Sequence, residues 1–443
     1  MAVRATTGWL TAPPRPAAMT EQRAPGALGQ AMLWGGLSMS ILAFVPGAYL
    51  VPALPLGEAI AIAVLGSIAG AGMLAMVAAL AARQGRTSVG LLSSTLGMPA
   101  GATLAALLLL RHTLWAIFAL TFAARVATNV PSLGGSTAVW AVALGALALA
   151  LALLPARTFV QVWMGRFAFW VGLLVIALVT VTGVFTYGIP ILHDADGLGG
   201  WPSRAQGFDL IAALPLLWLP VVADYAKDAS SPRAAAIGAG TGTGVMTAWY
   251  SIVGVLWVFT VSTGDVAGFI TALPIGAAGL IVVVALESDA VAANLYAASM
   301  AGGRFGYRWF RPALLASAIL AGAVVVATDA LRIEDALQTL SMVFVPLFAA
   351  VLVRGVFSST PRWAAWTAWA AGALTYGWIN PGDFGPWKDA MHFVFATMFD
   401  APFPLGDEAT WLPATAAAFA VSALVCATGA LMALAVQEGE SDG

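Results

Sequence analysis

Apolar stretches of about 20 residues follow one another along almost the whole chain. A helix of that length crosses the hydrocarbon core of a lipid bilayer. The 443 residues are 60% hydrophobic and only 9% charged, whereas about a quarter of the residues in soluble domains are charged. Such a chain cannot cover itself with a polar surface. The sequence therefore predicts an all-α integral membrane protein that crosses the bilayer many times.

The apolar stretches predict about twelve transmembrane helices. A disordered cytosolic tail is expected at 1–27, and a short one at 437–443. Glycine and proline are common in these stretches, and both are tolerated in spanning helices when neighbouring groups satisfy the freed backbone. The predicted spans are 28–52, 57–82, 98–126, 137–155, 163–188, 207–225, 236–262, 272–299, 312–329, 335–356, 363–379 and 411–436.

The distribution of basic residues tests this count, because cytosolic connections of membrane proteins carry an excess of Lys and Arg. With the N-terminal tail inside the cell, 14 of the 19 basic residues fall on the cytosolic side. Arg111 and Arg125 fall within the third span instead. This alternation predicts a multi-pass protein of the cell (inner or plasma) membrane, embedded in the lipid bilayer, with both termini in the cytosol.

Net charge and rare residue types exclude several functions. A formal net charge of -2 offers no electrostatic basis for binding nucleic acid. The single cysteine, Cys426, excludes an internal disulfide and a cysteine-based metal site. Three histidines are scattered without a catalytic arrangement, so neither an enzyme nor an organic cofactor is expected. The chain is expected to be a monomer or a weak oligomer.

Two predicted spans contain helix-breaking residues in their interiors. The first reads WGGLSMS at 34–40 and then has Pro46 and Gly47, and the sixth reads LPLLWLP at 214–220. Proline inside a helix removes a hydrogen bond and clashes with the preceding turn. Paired interruptions five spans apart indicate an inverted repeat with a binding site at the broken helices. Simple kinks that serve helix packing are the alternative interpretation.

The third span contains two adjacent polar residues, Arg111 and His112, followed by Trp115. A charge at the centre of a spanning helix costs about 2.5–3.5 kcal/mol even on the insertion scale, so such a residue usually has a function. Positions 111 and 115 share a helix face, as do positions 112 and 115. These residues are therefore candidates for a substrate or ion pathway inside the bundle.

The eighth span contains Glu287, Ser288, Asp289 and Asn294. Glu287 and Asn294 lie two turns apart on one face, so both are expected to reach the same cavity. The oxygens of Ser288 and Asp289 are suitable ligands for Na⁺, and a carboxylate alone could relay a proton. The alternative is an ion pair of Arg111 with Glu287 or Asp289 that holds the bundle together.

Six short motifs follow one another along the chain. They are FVPGA at 44–48, LPLG at 54–57, GRT at 85–87, LWLPVVADY at 217–225, SPR at 231–233 before a glycine-rich seventh span, and LSMVFVPL at 340–347. As an ordered set they resemble the nucleobase–cation symporter-1 family, which includes cytosine, purine, hydantoin and allantoin permeases and hydroxymethylpyrimidine transporters. The resemblance covers most of spans one to ten and weakens after them.

The resemblance implies the leucine-transporter-like fold, a five-plus-five inverted repeat with two added C-terminal helices. The first repeat would cover 28–188, the second 207–356, and the added helices 363–436. Substrate would bind at mid-membrane between spans one, three, six and eight. A planar polar heterocycle suits such a site, because it needs an aromatic platform and a few placed donors and acceptors.

The resemblance also implies roles for particular residues. Trp115 matches an aromatic residue that stacks on one face of the substrate, and Asn294 matches an asparagine that hydrogen-bonds the ring edge. His112 falls where cytosine permeases carry a glutamine that contacts the base. The region predicted to couple a cation to transport comprises the candidate Na⁺ ligands Ser288 and Asp289 together with Glu287 and Arg111.

Two positions depart from the family pattern. Counting from Asp224 puts Pro215 where family members offer a second stacking aromatic, and the nearest tryptophan is Trp218. The cation of Arg111 favours an acidic or carbonyl-rich ligand over cytosine. The broken spans are predicted to contact the substrate through Ser38, Leu214, Pro215 and Trp218.

These observations predict a cation-coupled secondary transporter that imports a nucleobase or related heterocycle, such as cytosine or hydroxymethylpyrimidine, by alternating access. The coupling ion is either Na⁺ or H⁺. A symporter of another small solute on the same fold, such as an amino acid, allantoin or hydantoin, is the first alternative. A membrane-embedded enzyme and a channel or receptor are alternatives of other classes, and ion-gradient-dependent accumulation would exclude a channel or receptor.

Overall fold

The computed structural model describes residues 24–128, 134–155, 158–189, 197–258, 265–303, 333–382, 385–405 and 411–441. Every regular element in these ranges is a helix, as the apolar composition requires. The main helices are α1 (Ala27–Ser38), α2 (Phe44–Tyr49), α3 (Leu56–Gln84), α4 (Ser88–Leu96), α5 (Met98–Thr128), α6 (Thr137–Ala152), α7 (Thr158–Tyr187), α8 (Arg204–Leu216), α9 (Leu219–Ala226), α10 (Pro232–Val258), α11 (Val266–Ala272), α12 (Gly276–Gly302), α13 (Ile333–Val356), α14 (Arg362–Ile379), α15 (Gly385–His392) and α16 (Ala414–Ser441).

The helices follow the predicted spans closely. Eight helices in the described ranges are long and apolar enough to cross a membrane, and the bent pair α1–α2 makes a ninth. The shorter helices α6 and α14 lie at the predicted fourth and eleventh spans, although α6 ends at Ala152 and not at 155. The ninth predicted span, 312–329, lies outside the described residues. The last helix continues to Ser441, into the segment expected to be a tail.

The first span is broken where its sequence contains the Gly- and Ser-rich run. Helix α1 ends at Ser38, a 3₁₀ turn covers Ile41–Ala43, and α2 follows at an angle of 70° to α1. The Ser38 hydroxyl donates to the Trp34 carbonyl oxygen at 2.8 Å, which satisfies one carbonyl near the end of α1. The Ser40 hydroxyl accepts from the Leu42 N–H at 3.1 Å and so caps the turn.

The sixth span is interrupted at Leu217 and Trp218, between α8 and α9. Two prolines flank the interruption. Pro215 lies in the last turn of α8, and Pro220 occupies the first turn of α9, where its missing N–H has little consequence. The interruption therefore lies where the proline spacing predicts it.

Glycine allows the broken first span to lie directly against α10. A Cβ atom added to Gly47 would overlap the carbonyl oxygen of Ser251, and one added to Gly254 would overlap the carbonyl oxygen of Phe44. The two glycines thus face each other's backbones across the α2–α10 contact. Small residues permit such close approach of spanning helices. This contact holds α2 against α10.

A buried carboxylate connects the sixth span to the last helix. Asp209 of α8 accepts hydrogen bonds from the backbone N–H groups of Ala414 at 2.8 Å and Thr415 at 2.9 Å. These N–H groups belong to the first turn of α16 and have no partner within that helix. An anion at a helix N-terminus is also favoured by the helix dipole. Asp209 therefore anchors α16 against α8.

Candidate functional site

A small cavity of about 30 Å³ lies where the two broken spans meet. Four of the predicted substrate-contacting residues line it: Ser38, Trp115, Leu214 and Trp218. It is bounded by parts of spans one, three, six, seven and eight. Its full lining is Leu37, Ser38, Ser40, Leu42, Ala43, Trp115, Leu214, Leu217, Trp218, Thr247 and Ala290.

Two tryptophans supply the aromatic part of the cavity wall. Trp115 comes from α5 and also packs against Phe118, with 5.0 Å between the ring centroids. Trp218 comes from the α8–α9 interruption and meets Trp34 edge to face at 6.4 Å. The Trp34 indole is held by a 3.0 Å hydrogen bond to the side chain of Gln30. Both rings facing the cavity are thus supported by neighbouring side chains.

Pro215 does not line the cavity. It packs toward α3, because a Cβ atom added to Gly70 would lie 3.1 Å from the Pro215 ring. Trp218 lies in the wall one turn further along. The second aromatic surface is therefore offered by Trp218, and the prediction that Pro215 contacts substrate is not supported by this geometry.

The cavity volume limits what the site can hold in this conformation. A volume of about 30 Å³ has room for only a few water molecules. Pockets that bind drug-sized ligands have volumes of about 300–1,000 Å³. A heterocyclic ring therefore requires the surrounding helices or side chains to move apart. Among the lining hydroxyls, Ser38 already donates its proton to Trp34 and can offer a ligand only an acceptor.

Arg111, His112 and Asn294 form a buried polar cluster beside the cavity. The Arg111 Nη1 group lies 2.9 Å from Asn294 Oδ1 and 2.8 Å from His112 Nδ1. Arginine only donates, so the contact with Arg111 uses His112 Nδ1 as an acceptor, whereas the 3.2 Å contact between His112 Nδ1 and Asn294 Oδ1 uses Nδ1 as a donor, and the two contacts therefore belong to different tautomers. Arg111 Nη2 donates to the Leu217 carbonyl oxygen at the helix interruption. The Asn294 amide nitrogen donates to the Ala290 carbonyl oxygen at 2.8 Å.

Glu287 ties α12 to the break in the first span. Its carboxylate accepts from the Ile41 backbone N–H at 2.6 Å and from the Ser40 hydroxyl at 3.0 Å. The Ile41 N–H has no helical partner, because it begins the turn after the break. Neither Glu287 nor Asn294 lines the cavity, in contrast to the prediction that both reach it. Each is one hydrogen bond behind a lining residue, Glu287 through Ser40 and Asn294 through Ala290.

Ser288 and Asp289 face two other helices. The Ser288 hydroxyl lies 3.4 Å from the carbonyl oxygen of Leu144 in α6, and Asp289 accepts a hydrogen bond from the Trp163 indole in α7. Successive residues of a helix point about 100° apart. Ser288 and the Leu144 carbonyl thus offer two oxygens of the type that Na⁺ prefers, while Asp289 is directed elsewhere.

The proposed ion pair of Arg111 with Glu287 or Asp289 is not formed. Arg111 bonds to Asn294, His112 and the Leu217 carbonyl, and the two carboxylates bond to α1–α2 and α7. The described part of the chain also contains no group of three or more His, Cys, Asp and Glu side chains placed to hold a metal ion. The charges of the third and eighth spans are therefore kept apart.

Several residues of the site were not predicted from the sequence. Trp163 was missed, although its indole binds Asp289. Ser40 was included only as part of a helix-breaking run, and Thr247 only as part of a glycine-rich span. A hydroxyl directly after a break is a recognisable capping signal and could have identified Ser40. Nothing in the sequence around Trp163 indicates its partner.

Two broken helices that meet at a buried cavity define a class of secondary-transporter fold. A structure of Mhp1, a nucleobase-cation-symport-1 family transporter, in a closed conformation with bromovinylhydantoin bound, matches with a TM-score of 0.71. The match is 14% identical in sequence and covers 94% of each chain. The inward-facing conformation of Mhp1 matches with a TM-score of 0.65 at 14% identity, over 94% of this chain and 92% of that chain.

A more distant fold match is MhsT in complex with L-phenylalanine, with a TM-score of 0.52 and 12% identity over 94% of this chain and 99% of that one. No protein-family model matches the sequence, and no curated protein matches it. These structures confirm the predicted all-α, leucine-transporter-like fold. They also support the resemblance to the nucleobase–cation symporters at the level of the fold.

Proposed function

We propose that this chain is a cation-coupled secondary transporter that imports a nucleobase-like planar heterocycle by alternating access. The observation that carries the proposal is the pair Trp115 and Trp218, which line one buried cavity from an unbroken helix and a broken one. Aromatic rings bind flat heterocycles through their faces, and this binding tolerates differences in ring substituents. Trp218 lies at a helix break, where the chain can change direction, whereas Trp115 lies within a continuous helix.

The small size of the cavity is in keeping with alternating access. A site of about 30 Å³ is too small for a heterocyclic ring, so the helices around it must move apart before a ring can enter. The breaks in spans one and six supply places where the helices can change direction without losing internal hydrogen bonds. Both termini are proposed to lie in the cytosol, and the substrate enters from the opposite side.

Cation coupling is proposed to act through α12. Ser288 with the Leu144 carbonyl would contribute oxygens to a Na⁺ site, and Asp289 and Glu287 add buried negative charge nearby. An ion stabilises one conformation only by its differential affinity for the two states. Binding between α12 and α6, one residue along α12 from the Glu287 contact with the broken first span, would provide such a difference. Whether Na⁺ or H⁺ is used is an outcome of the test below.

The fold is shared with proteins that bind different solutes. Mhp1 was solved with bromovinylhydantoin and MhsT with L-phenylalanine. An amino-acid or other small-solute symporter is therefore the second candidate function. A binding screen against both classes of compound separates the two.

The proposal is tested by thermal-shift measurements on the detergent-purified protein, with pyrimidines, purines, hydantoin, allantoin and amino acids, each with and without Na⁺. A ligand at one hundred times its dissociation constant stabilises the folded state by about 2.7 kcal/mol. We expect stabilisation by heterocycles, and enhancement by Na⁺ would identify it as the coupling ion. Stabilisation by amino acids alone would favour the second candidate and contradict the heterocycle assignment.

The variant Trp115→Ala tests the site itself. Loss of one stacking surface costs about 1–3 kcal/mol, which is about 5- to 150-fold in affinity. Trp115→Phe keeps a ring and is expected to retain most binding. Trp170→Ala is the matched control, because Trp170 is exposed on the outer surface of α7. Wild-type affinity for heterocycles in a folded Trp115→Ala protein would contradict the assignment of the substrate site to this cavity.

A further inference from the structure

The guanidinium of Arg111 is a buried positive charge without an anionic partner in the described part of the chain. Arg111 is 6% exposed, and no described carboxylate lies within ion-pairing distance of its guanidinium. The groups that it contacts, Asn294 Oδ1, His112 Nδ1 and the Leu217 carbonyl, are all neutral acceptors. Its Nε–H group has no hydrogen-bond partner at all. The cation is thus incompletely satisfied.

An unpaired cation inside a membrane protein is costly. Buried charges are normally paired with an opposite charge, because neutral acceptors replace only part of the lost hydration. Charged residues within spanning helices therefore usually mark a substrate or ion pathway. A charge retained without an anion from the chain itself indicates that an anion arrives from outside.

The position of Arg111 identifies where that anion would bind. Its Nη2 group holds the carbonyl oxygen of Leu217, and its Cζ atom lies 5.9 Å from the ring centroid of Trp115. Leu217 and Trp115 both line the cavity between the broken spans. The positive charge therefore lies directly behind the cavity wall. Opening the wall to admit a ring would also bring the ligand's edge to the guanidinium.

We propose that the transported substrate is an anion: a planar heterocycle bearing a carboxylate or an equivalent negatively charged edge. Its ring would lie on Trp115, and its charged edge would accept the forked N–H groups of Arg111. Arginine matches a carboxylate with two parallel hydrogen bonds, which neutral acceptors on separate residues do not reproduce. This inference rests on the proposed transport function and narrows its substrate class.

Matched ligand pairs test the inference on the wild-type protein without any mutation. Orotate and uracil share a ring and differ by one carboxylate, and nicotinate and nicotinamide differ in the charge of one substituent. We expect the anionic member of at least one pair to bind on the order of 100-fold more tightly, as measured by thermal shift and by equilibrium binding. Neutral members that bind as tightly as their anionic partners would overturn the inference and leave the transport proposal standing.

Variants then assign the effect to Arg111. Arg111→Gln removes the charge and is expected to abolish the preference for the anion, and Arg111→Lys keeps the charge but loses the fork and should retain part of it. Arg166→Gln is the control, because Arg166 is exposed on α7. An unchanged preference in a folded Arg111→Gln protein would overturn the inference. If no heterocycle of either charge binds wild-type protein, the proposed function fails and this inference fails with it.

Discussion

Replacement of Glu287 by alanine should separate α12 from the break in the first span. The carboxylate accepts two hydrogen bonds, from the Ile41 N–H at 2.6 Å and from the Ser40 hydroxyl at 3.0 Å. Glu287 is buried, and the Ile41 N–H has no other acceptor among the described hydrogen bonds. The substitution therefore removes both contacts together and leaves a backbone donor unpaired.

The size of the effect follows from these two contacts. A hydrogen bond to a charged group contributes about 1.5–3 kcal/mol, so two contribute about 3–6 kcal/mol. Removing the unpaired charge itself returns part of this sum, because a buried carboxylate is expensive to desolvate. We therefore expect a net loss of about 2–4 kcal/mol of stability. Glu287→Gln should lose less, because the amide oxygen still accepts one of the two bonds.

The assay is thermal unfolding of the purified variants, together with uptake by cells that carry equal amounts of each protein in the membrane. Ser288→Ala is the neighbouring control for stability, because the only hydrogen bond described for its hydroxyl is a 3.4 Å contact with Leu144. We expect a clearly lower midpoint for Glu287→Ala and little change for Ser288→Ala. If Glu287→Ala unfolds at the wild-type temperature, the two Glu287 hydrogen bonds between α12 and the first span do not stabilise the protein.

Two further predictions concern the helix contacts that hold the site. Gly254→Ala places a methyl group against the Phe44 carbonyl oxygen and should destabilise the protein by about 1–3 kcal/mol or prevent its assembly. Gly72→Ala is the control, because a Cβ atom there meets no atom within 4 Å, and its unfolding midpoint should be unchanged or slightly higher. Asp209→Ala removes the acceptor for two N–H groups at the start of α16 and should cost about 0.5–2 kcal/mol of stability. Asp209→Asn keeps one acceptor oxygen and should cost less. Equal unfolding midpoints for the two Asp209 variants would contradict the capping role.

Local chemistry explains which parts of this structure could be predicted. The interruptions of spans one and six follow from glycine, serine and proline at particular positions. Glycine lacks a Cβ and proline lacks a backbone N–H donor, so both change the helix at the position where they occur. Span positions follow from the apolar length that the bilayer requires. The positions of most spans in the described residues and the location of both breaks were therefore available before any three-dimensional information.

The directions of the buried polar side chains were not available in this way. Helix geometry places Glu287, Ser288 and Asp289 about 100° apart, but their partners belong to α1–α2, α6 and α7. Which neighbour each residue meets depends on how helices far apart in the sequence pack together. The same limit applies to Asp209, whose partners are more than 200 residues away. Pro215 is absent from the cavity lining for a related reason, because one turn of a broken helix decides which residue faces the cavity.

Uptake into proteoliposomes tests the central claim most directly. Purified protein would be reconstituted and supplied with radiolabelled heterocycles, including orotate and uracil, under an imposed Na⁺ or H⁺ gradient. We predict accumulation above the external concentration that collapses when an ionophore dissipates the driving gradient and that is lost in Trp115→Ala. Heterocycle entry that merely equilibrates, whatever the ion gradient, or that proceeds equally well in Trp115→Ala, would contradict the account.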